Sequence, residues 1–500
     1  RRDYIRGEFG AHFFGYLGKI NDNELKKSEY SNYRQDDTIG KTGLEKKYEK
    51  FLRGKDGKRI IEVNAIGQQL GTNVIDDPVP GYNLILTIDK NLQEVAEKAM
   101  EGKTGAIVAL DPRSGEILAM VSKPGFNPNL FAGQISSELW KELNDNPMHP
   151  LINRTIMGAY PPGSTFKILI AITALEEKVI DAEFTEECLG EFIYGNAKYK
   201  CWKKEGHGRI NVTEALINSC NIFFYKLGLN AGIKKVEKYA LMFGLGKATG
   251  IDLSQERNGL VPNPSWKKSA TKLPWYPGDN ILIGVGQGAL LVTPVQMANM
   301  ISLIVNGGVL WQPHLVREVV SVNNRIIYKI PRKEISKINI SAKTLEIIRD
   351  ALWKVVNRWG TGRRTRIPGL NILGKTGTAQ MAAKQDYYDD IETNKIPEQI
   401  RPHAWFVTCA PMKDPKIAIA ILIEHGGEGG QSSAPIAKLM YDEYLKEEKR
   451  DYSLDKIHNP GDIPKPKDES MINLTHEPFY LFDSSQINPI IKNIVLETRE

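Results

Sequence analysis

The sequence predicts an α+β fold in which helices flank a central antiparallel sheet. A β-rich hairpin, GAIVALDPRSGEILAMVS, spans residues 105–122, and helical apolar spacing dominates residues 164–306. Strand-like apolar runs then return in LNILGKTG, AWFVTCAP and IAIAILIEHG. Strands that flank a helical middle are typical of one sheet built from both ends of a domain.

Length and composition indicate a globular protein of more than one domain. Five hundred residues exceed one compact core, while 41% hydrophobic and 25% charged residues are ordinary values. We expect residues 1–100 to form a small non-catalytic α+β domain and residues 101–447 the main domain. Residues 448–500 are charged and proline-bearing without periodicity, which predicts a polar tail that is mostly disordered or loosely attached.

Local signals support each element in turn. VPGYNLILTIDKNLQEVAEKAM predicts a strand followed by a helix capped by Asp89, and Asp-Pro-Arg-Ser-Gly supplies the hairpin turn. Apolar spacing predicts helices over 164–175, 212–228 and 293–306, and a terminal helix over 435–444.

Charge and hydropathy do not indicate a nucleic-acid partner or a membrane-spanning segment. A net charge of +6 arises from 66 basic and 60 acidic residues, too mild an excess to indicate nucleic acid. The most apolar stretch, residues 281–305, contains Gln287, Pro294 and Gln296, so it predicts core rather than a membrane span. Because the chain opens with Arg1 and not Met, we expect a processed or truncated piece whose membrane anchor lay upstream.

The segment PGLNILGKTGTAQ contains two competing motifs. Gly369, Gly374, Lys375 and Thr376 match the pattern of a phosphate-binding loop. The four residues between the glycines are Leu-Asn-Ile-Leu, which are bulky and strand-like, and no helix start follows. A loop of this kind does not curl around a phosphate, so the match is interpreted as accidental.

The same segment contains Lys-Thr-Gly, which also occurs at residues 41–43 and 103–105. Only the third copy follows two companions in order. Ser164 begins an apolar helix after Pro-Pro-Gly, with Lys167 one turn later on the same face. A neutral lysine beside a serine can act as its base when burial lowers the pKa of the amine.

The second companion is Ser219-Cys220-Asn221, whose hydroxyl and amide could relay a proton and hold a substrate carbonyl. Ser-x-x-Lys, Ser-x-Asn and Lys-Thr-Gly in this order form the motif set of penicillin-reactive serine enzymes. Each motif alone is weak evidence, and Ser-x-x-Lys is more often a helix cap followed by a solvated lysine.

Longer stretches carry a family resemblance over nearly everything up to residue 447. They include GKTGLEKKYEKFLRG, EVNAIGQ, PPGSTFK, WKKEGHGRINV, LPWYPGDNILIGVGQGALLVTPVQMA and GKTGTAQ. The chain resembles the class B penicillin-binding proteins, and among them the transpeptidases of cell elongation. The resemblance implies the fold shared by these transpeptidases and serine β-lactamases, preceded by an N-terminal α+β pedestal domain.

The resemblance also implies a mechanism. Ser164 would attack the penultimate D-alanine carbonyl of a peptidoglycan stem peptide, with Lys167 as its base. Ser219 would pass a proton to the leaving nitrogen, and Lys375 would supply positive potential that keeps Lys167 neutral. The acyl-enzyme would then transfer to an amine of a neighbouring stem.

Substrate-binding residues follow from the same resemblance. Asn221 would hold the donor amide, while Thr376, Gly377 and Thr378 would bind the substrate along the strand, the two threonines at its terminal carboxylate. The main-chain amides of Ser164 and Thr378 would form the oxyanion hole. No cofactor is required for this chemistry, and a β-lactam antibiotic would trap Ser164.

Two other classes of function share these motifs. A serine β-lactamase or D,D-carboxypeptidase would hydrolyse the acyl-enzyme, commonly with a carboxylate and a positioned water. Glu256 lies at a plausible distance beyond Asn221, but its context does not match. A non-catalytic penicillin sensor would only become acylated.

A possible metal site overlaps the second motif. Cys188, Cys201, His207 and Cys220 have a spacing compatible with tetrahedral zinc but lack a C-x-x-C knuckle. The resemblance strengthens the zinc hypothesis, because elongation transpeptidases are known with zinc here and with carboxylates commonly at the first two positions. The alternative is a disulfide plus a spare thiol. Cys409, in an apolar run, is predicted to be a buried thiol.

The resemblance implies partners and a location as well. It implies a glycan polymerase of the shape, elongation, division and sporulation family (RodA) and the scaffold MreC. It also implies attachment to the bacterial inner membrane, with the catalytic domain on the periplasmic side.

Overall fold

The computed structural model describes residues 2–133, 135–380, 396–446 and 478–480. The predicted tail over 448–500 therefore lies outside the described residues, except for one short strand at residues 478–480. Among the described residues, none of the helices is both long and apolar enough to cross a membrane.

The N-terminal region is built from short elements, as expected for a small α+β unit. They are α1 (Ala11–Phe14), β1 (Leu17–Lys19), α2 (Asp22–Leu25), β2 (Thr38–Gly40), α3 (Gly43–Lys47), α4 (Glu49–Leu52), β3 (Lys58–Val63), β4 (Gln69–Asp76), β5 (Asn83–Asp89) and α5 (Lys90–Ala99). The predicted cap is confirmed, since the Asp89 side chain accepts a hydrogen bond from the amide of Leu92 at the start of α5.

The middle of the chain begins with the predicted hairpin and continues with helices. The elements are β6 (Gly105–Leu110), β7 (Ile117–Lys123), α6 (Ser137–Asp145), α7 (Lys167–Glu176), β8 (Thr185–Cys188), β9 (Glu191–Tyr194), β10 (Ala197–Lys200), β11 (Gly208–Asn211), α8 (Val212–Ile217), α9 (Asn221–Ala231), α10 (Ile233–Met242), α11 (Pro264–Thr271), α12 (Pro277–Gly284) and α13 (Pro294–Val305).

Strands return after α13, followed by the terminal helix. The remaining elements are β12 (Val309–Trp311), β13 (Val316–Val320), β14 (Ile326–Lys329), β15 (Glu334–Lys337), α14 (Ala342–Asn357), β16 (Leu373–Ala379), β17 (His403–Ala410), β18 (Ile417–Ile423), α15 (Gly429–Ser432), α16 (Ala434–Tyr444) and β19 (Pro478–Tyr480). Strand β19 pairs with β5.

The central sheet has five antiparallel strands in the order β16-β17-β18-β6-β7. It confirms the prediction that strands distant in sequence close one sheet, because Ile107 of β6 lies opposite Ile421 of β18. Strands β17 and β18 are buried along their whole length, so both faces of the sheet carry core. Strand β16 lies at the edge, where one side of its backbone faces away from β17.

One predicted helix is wrong in extent. The sequence predicts a continuous helix over 212–228, whereas α8 ends at Ile217 and α9 starts at Asn221. The break centres on Ser219, whose φ of 53° is left-handed and incompatible with a continuing α-helix. Apolar spacing on both sides of the break concealed it from the sequence pattern.

Candidate active site

Ser164 lies in a tight turn that approaches the edge strand. It is the second residue of a 3-10 turn, Gly163–Phe166, which leads directly into α7. Gly163 has a φ of 54°, and a Cβ added there would lie 2.7 Å from the main-chain oxygen of Thr378. Only glycine fits this approach, which brings the residue before Ser164 against β16 at Thr378.

A second glycine supports the same turn from behind. The Gly163 amide donates a hydrogen bond of 2.9 Å to the main-chain oxygen of Gly286. A Cβ on Gly286 would fall 2.2 Å from the Gly163 oxygen, and its φ is 71°. The Ser164 turn is therefore held between β16 and the segment that follows α12.

Lys167 starts α7 with its side chain completely buried. Its Nζ lies 2.9 Å from the main-chain oxygen of Ser219 and 2.8 Å from Oδ1 of Asn221. The Ser219 hydroxyl is 3.4 Å away. Burial lowers the pKa of Lys167 to about 8, because the charged amine is poorly solvated there.

Ser219 connects the two lysines. Lys375 Nζ donates a hydrogen bond of 2.9 Å to the Ser219 Oγ and lies 3.2 Å from the main-chain oxygen of Thr376. The left-handed backbone of Ser219 directs its hydroxyl and its carbonyl into this cluster, a strain typical of functional sites.

Lys375 is also completely buried, and burial followed by the charge of Lys167 holds its pKa well below the usual range of a lysine. Two buried amines that share one hydroxyl resist carrying two positive charges at once. We therefore attribute the predicted positive potential to the two lysines together, which carry one positive charge more easily than two and readily release a proton.

The predicted binding residues line the adjoining edge strand and helix. In register with β17, Thr376 lies opposite Phe406, Gly377 opposite Trp405 and Thr378 opposite Ala404. Asn221 begins α9, accepts from Lys167 through Oδ1 and donates from Nδ2 to the Lys200 main-chain oxygen at 3.4 Å.

The structure separates the three Lys-Thr-Gly copies. Lys41 pairs with Glu24 in the N-terminal region, and Lys103 bonds the main-chain oxygen of Ala99 just after α5. Glu256 binds the amides of Thr249 and Gly250, so its carboxylate closes a loop. That bonding does not favour a role for Glu256 in positioning a hydrolytic water.

The predicted metal ligands also converge. One ligand atom each from Cys188, Cys201, His207 and Cys220 lies within 4.8 Å of all the others. His207 Nδ1 is 3.5 Å from the Sγ of both Cys188 and Cys201. All four cysteines of the chain are free thiols, so the alternative disulfide is not formed.

This donor set fits zinc, which takes four sulfur or nitrogen ligands tetrahedrally. A hydrogen bond from the Cys220 side chain lowers the pKa of Cys201 to about 4, which favours the thiolate that a metal needs. Cys220 also caps α9 beside Ser219 and Asn221, so the cluster adjoins the lysine pair.

Several supporting residues were not identified from the sequence. The Trp405 indole donates to the main-chain oxygen of Pro161, just before the Ser164 turn, and the Tyr160 hydroxyl donates to Glu424 Oε1 at 2.6 Å. Thr361 Oγ1 lies 2.5 Å from Thr376 Oγ1. No local sequence signal marks these contacts, because each joins segments that only the finished sheet brings together.

Comparison with known families and proteins agrees with this geometry. Residues 105–442 match the penicillin binding protein transpeptidase domain, and residues 1–86 match the penicillin-binding protein dimerisation domain. The chain is 39% identical over 455 residues to peptidoglycan D,D-transpeptidase MrdA of Acinetobacter baumannii, covering 90% of this chain and 66% of the relative. For MrdA of Escherichia coli K12 the identity is 36%, covering 86% and 69%. The chain thus spans about two thirds of the length of these relatives.

Solved structures show the same likeness. The structure of Pseudomonas aeruginosa PBP2 in complex with WCK 5153 has a TM-score of 0.76 at 33% identity, covering 90% of this chain and 91% of the other. PBP2 in its complex with MreC from Helicobacter pylori has a TM-score of 0.76 at 34% identity, covering 89% and 78%.

Proposed function

The chain belongs to the penicillin-binding protein transpeptidases, and we propose that it cross-links peptidoglycan stem peptides during cell-wall elongation through an acyl-enzyme on Ser164. The observation that carries this assignment is the buried chain Lys167–Ser219–Lys375 beside the Ser164 turn. In this proposal Lys167 is the base, Ser219 relays a proton and Lys375 supplies positive charge, and the three side chains lie together.

In the acylation step, Ser164 Oγ forms a bond to the penultimate D-alanine carbonyl carbon and loses its proton to Lys167. The main-chain amides of Ser164 and Thr378 donate hydrogen bonds to the resulting oxyanion. Loss of one such donor typically costs ~10²–10³ in rate. The peptide bond then breaks, and the leaving nitrogen takes a proton through the Ser219 hydroxyl.

In the transfer step, an amine of a neighbouring stem attacks the acyl carbon. The amine loses a proton to the lysine–serine cluster, and Ser164 recovers its own as the cross-link forms. Before the terminal D-alanine leaves in the acylation step, Thr376 and Thr378 of strand β16 hold its carboxylate, while Asn221 holds the donor amide. A β-lactam follows only the first step and remains attached to Ser164.

A structural zinc ion would be held by Cys188, Cys201, His207 and Cys220. Such an ion would supply no chemistry to the reaction; it would tie the segment that carries Cys188, Cys201 and His207 to Cys220 at the start of α9. Because Cys220 caps α9, that constraint reaches Ser219 and Asn221.

Two similar solved structures support an inference about partners. This chain is similar to PBP2 in its complex with MreC from Helicobacter pylori. It is also similar to a chain of a peptidoglycan synthase complex that coordinates polymerization and crosslinking. We infer that this chain likewise works with MreC and with a glycan polymerase. Because the proposed substrate is peptidoglycan, we also infer that the catalytic domain lies on the periplasmic side of the inner membrane.

Fluorescent penicillin labelling followed by peptide mapping tests the assignment. We expect the label on Ser164 and no label in Ser164→Ala. A stem-peptide donor with an added amine acceptor should then yield cross-linked product. Hydrolysis of the β-lactam would identify a lactamase instead, release of D-alanine without transfer a carboxypeptidase, and acylation without any turnover a sensor.

A further inference from the structure

A short segment, residues 200–202, lies beside the break between α8 and α9, and we call it the clamp segment. The main-chain oxygen of its first residue accepts a hydrogen bond of 3.4 Å from Asn221 Nδ2. The indole Nε1 of its last residue donates to the main-chain oxygen of Asn218 at 3.0 Å. Between them, the Sγ of Cys201 lies within 4.8 Å of the Sγ of Cys220. The clamp segment therefore contacts both sides of the break, in reverse chain order.

The clamp segment is held in place on its other side. Lys200 ends strand β10 and lies opposite Glu191 of β9 in an antiparallel pair. The next amide along, that of Cys201, donates a hydrogen bond of 2.7 Å to the main-chain oxygen of Gly190. Because strand pairing and this hydrogen bond hold the backbone, the side chain of Trp202 extends towards α8 from a fixed position.

The hydrogen bond from Trp202 acts on the peptide group that leads into Ser219. The Asn218 carbonyl and the Ser219 amide belong to one planar peptide group, whose N–H also donates to the Leu216 oxygen at 3.3 Å. The next peptide group begins with the Ser219 carbonyl, which Lys167 Nζ binds at 2.9 Å. The orientations of these two groups define the φ and ψ of Ser219. Its left-handed φ of 53° is therefore held from one side by Trp202 and from the other by Lys167.

We propose that Trp202 is a positioning residue for Ser219, whose hydroxyl it keeps between the two buried lysines. This inference rests on the proposed function, in which Ser219 relays a proton. The Ser219 Oγ lies 3.4 Å from Lys167 Nζ and 2.9 Å from Lys375 Nζ. A rotation of the peptide group that enters Ser219 lengthens one of these distances and interrupts the relay.

The surroundings of Trp202 allow this role to be separated from general stability. Trp202 is 60% exposed, and its ring meets that of His207 edge-on at 5.3 Å between centroids. A ring so exposed contributes little apolar burial to the core. Trp202→Phe keeps an aromatic ring beside His207 and removes the indole donor. We therefore expect this variant to keep the melting temperature and the zinc content of the unaltered chain.

Stopped-flow labelling by fluorescent penicillin over a range of concentrations tests the proposal. It separates the rate of acylation from the affinity of the preceding non-covalent complex. We expect Trp202→Phe to slow acylation about fivefold, the scale of one lost hydrogen bond, and to leave the affinity unchanged. Trp275→Phe is the matched control, because Trp275 is half-buried and its Nε1 donates to Asn280 Oδ1 of α12 at 2.9 Å. The control should change neither constant.

A double substitution tests whether Trp202 acts through Ser219. In a Ser219→Ala background, Trp202→Phe should slow acylation no further, because the hydroxyl that it positions is absent. Equal slowing with and without that hydroxyl, or an unaltered rate in Trp202→Phe alone, would overturn the proposal. A weaker affinity at an unaltered rate would place Trp202 against the ligand instead. Slowing accompanied by loss of zinc would assign the effect to the cysteine cluster, and the proposal would again be wrong.

Amide hydrogen exchange tests the positioning without catalysis. Exchange in peptides that contain Ser219 should become faster in Trp202→Phe and stay unchanged in Trp275→Phe, and unchanged exchange in both would overturn the proposal. The proposed function fails by a different result. If fluorescent penicillin does not label Ser164 in the unaltered chain, the transpeptidase mechanism is wrong, and the exchange measurement still decides whether Trp202 holds Ser219.

Discussion

Trp405 Nε1 donates a hydrogen bond of 3.0 Å to the main-chain oxygen of Pro161, so strand β17 holds the turn that presents Ser164. Trp405 is fully buried and lies opposite Gly377 in register. One side chain thus ties the Ser164 turn and the Lys-Thr-Gly strand to a common support.

Replacing this contact should slow acylation. Trp405→Phe keeps an aromatic ring but leaves the Pro161 oxygen without its donor. We expect roughly fivefold slower labelling by fluorescent penicillin, the scale of one lost hydrogen bond. Trp353→Phe is the control, because Trp353 Nε1 bonds Asn371 Oδ1 at 2.8 Å, just before β16 begins. It should lower thermal stability without slowing labelling, and slowing by both variants would contradict a specific role for Trp405.

Gly286→Ala should disable the Ser164 turn. The added Cβ would meet the Gly163 oxygen at 2.2 Å, and neither main chain can yield without moving Ser164. We expect more than tenfold slower acylation together with a lower melting temperature. Gly288→Ala separates the two causes, since Gly288 has a φ of 77° but its Cβ would lie 3.6 Å from Leu282. It should cost stability only, and comparable slowing there would mean that backbone strain, not the close approach, governs the rate.

Acylation should become faster as pH rises through about 8, because burial lowers the pKa of Lys167 to about 8. The base must be neutral to accept the Ser164 proton, so the reactive fraction grows above this pKa. The same buried amine binds fewer protons folded than unfolded, so stability should also rise between about pH 8 and the unfolded lysine value of about 10.4. Stopped-flow acylation by a β-lactam, corrected for its uncatalysed hydrolysis, gives the profile. A rate independent of pH across this window would exclude a neutral Lys167 as the base.

Removing a thiol of the proposed zinc site should release the ion. Cys188→Ser should lower zinc content well below one ion per chain, reduce the melting temperature and slow acylation, because metal binding contributes to folding. Cys409→Ser is the control, since Cys409 is buried outside the cluster. Elemental analysis and thermal melts measure both variants. A wild-type chain without metal, or one with a 188–201 disulfide, would show that the zinc assignment is wrong.

The order of the motifs predicted which side chains come together. Apolar spacing was less successful at predicting the local structure around them. Lys167, Ser219 and Lys375 were selected from three spaced motifs, and the structure joins them by hydrogen bonds, although their individual roles stay predictions. The helix expected over 212–228 was wrong, because apolar spacing continues through a residue held left-handed by the site itself. Periodicity reports burial and carries no information on one strained φ.

Some contacts at the site could not be predicted from the sequence. Thr361 and Thr376 are close in sequence, but their hydrogen bond depends on where α14 ends against the sheet. Trp405 reaches Pro161 only once the register of β17 with β16 is set. Such pairs follow from sheet register, which a single sequence specifies collectively and not by any one residue.

The sheet order also determines when this protein can acquire its active site during synthesis. Strands β6 and β7 are synthesised early, but β6 cannot complete its pairing until β18 has been synthesised. Strand β16, which carries Lys375, pairs with β17, which is synthesised after it. Pairings of such high contact order fold slowly and expose strand edges meanwhile. A ribosome-bound chain that ends before β17 should therefore contain Ser164 and both lysines but remain unreactive towards penicillin.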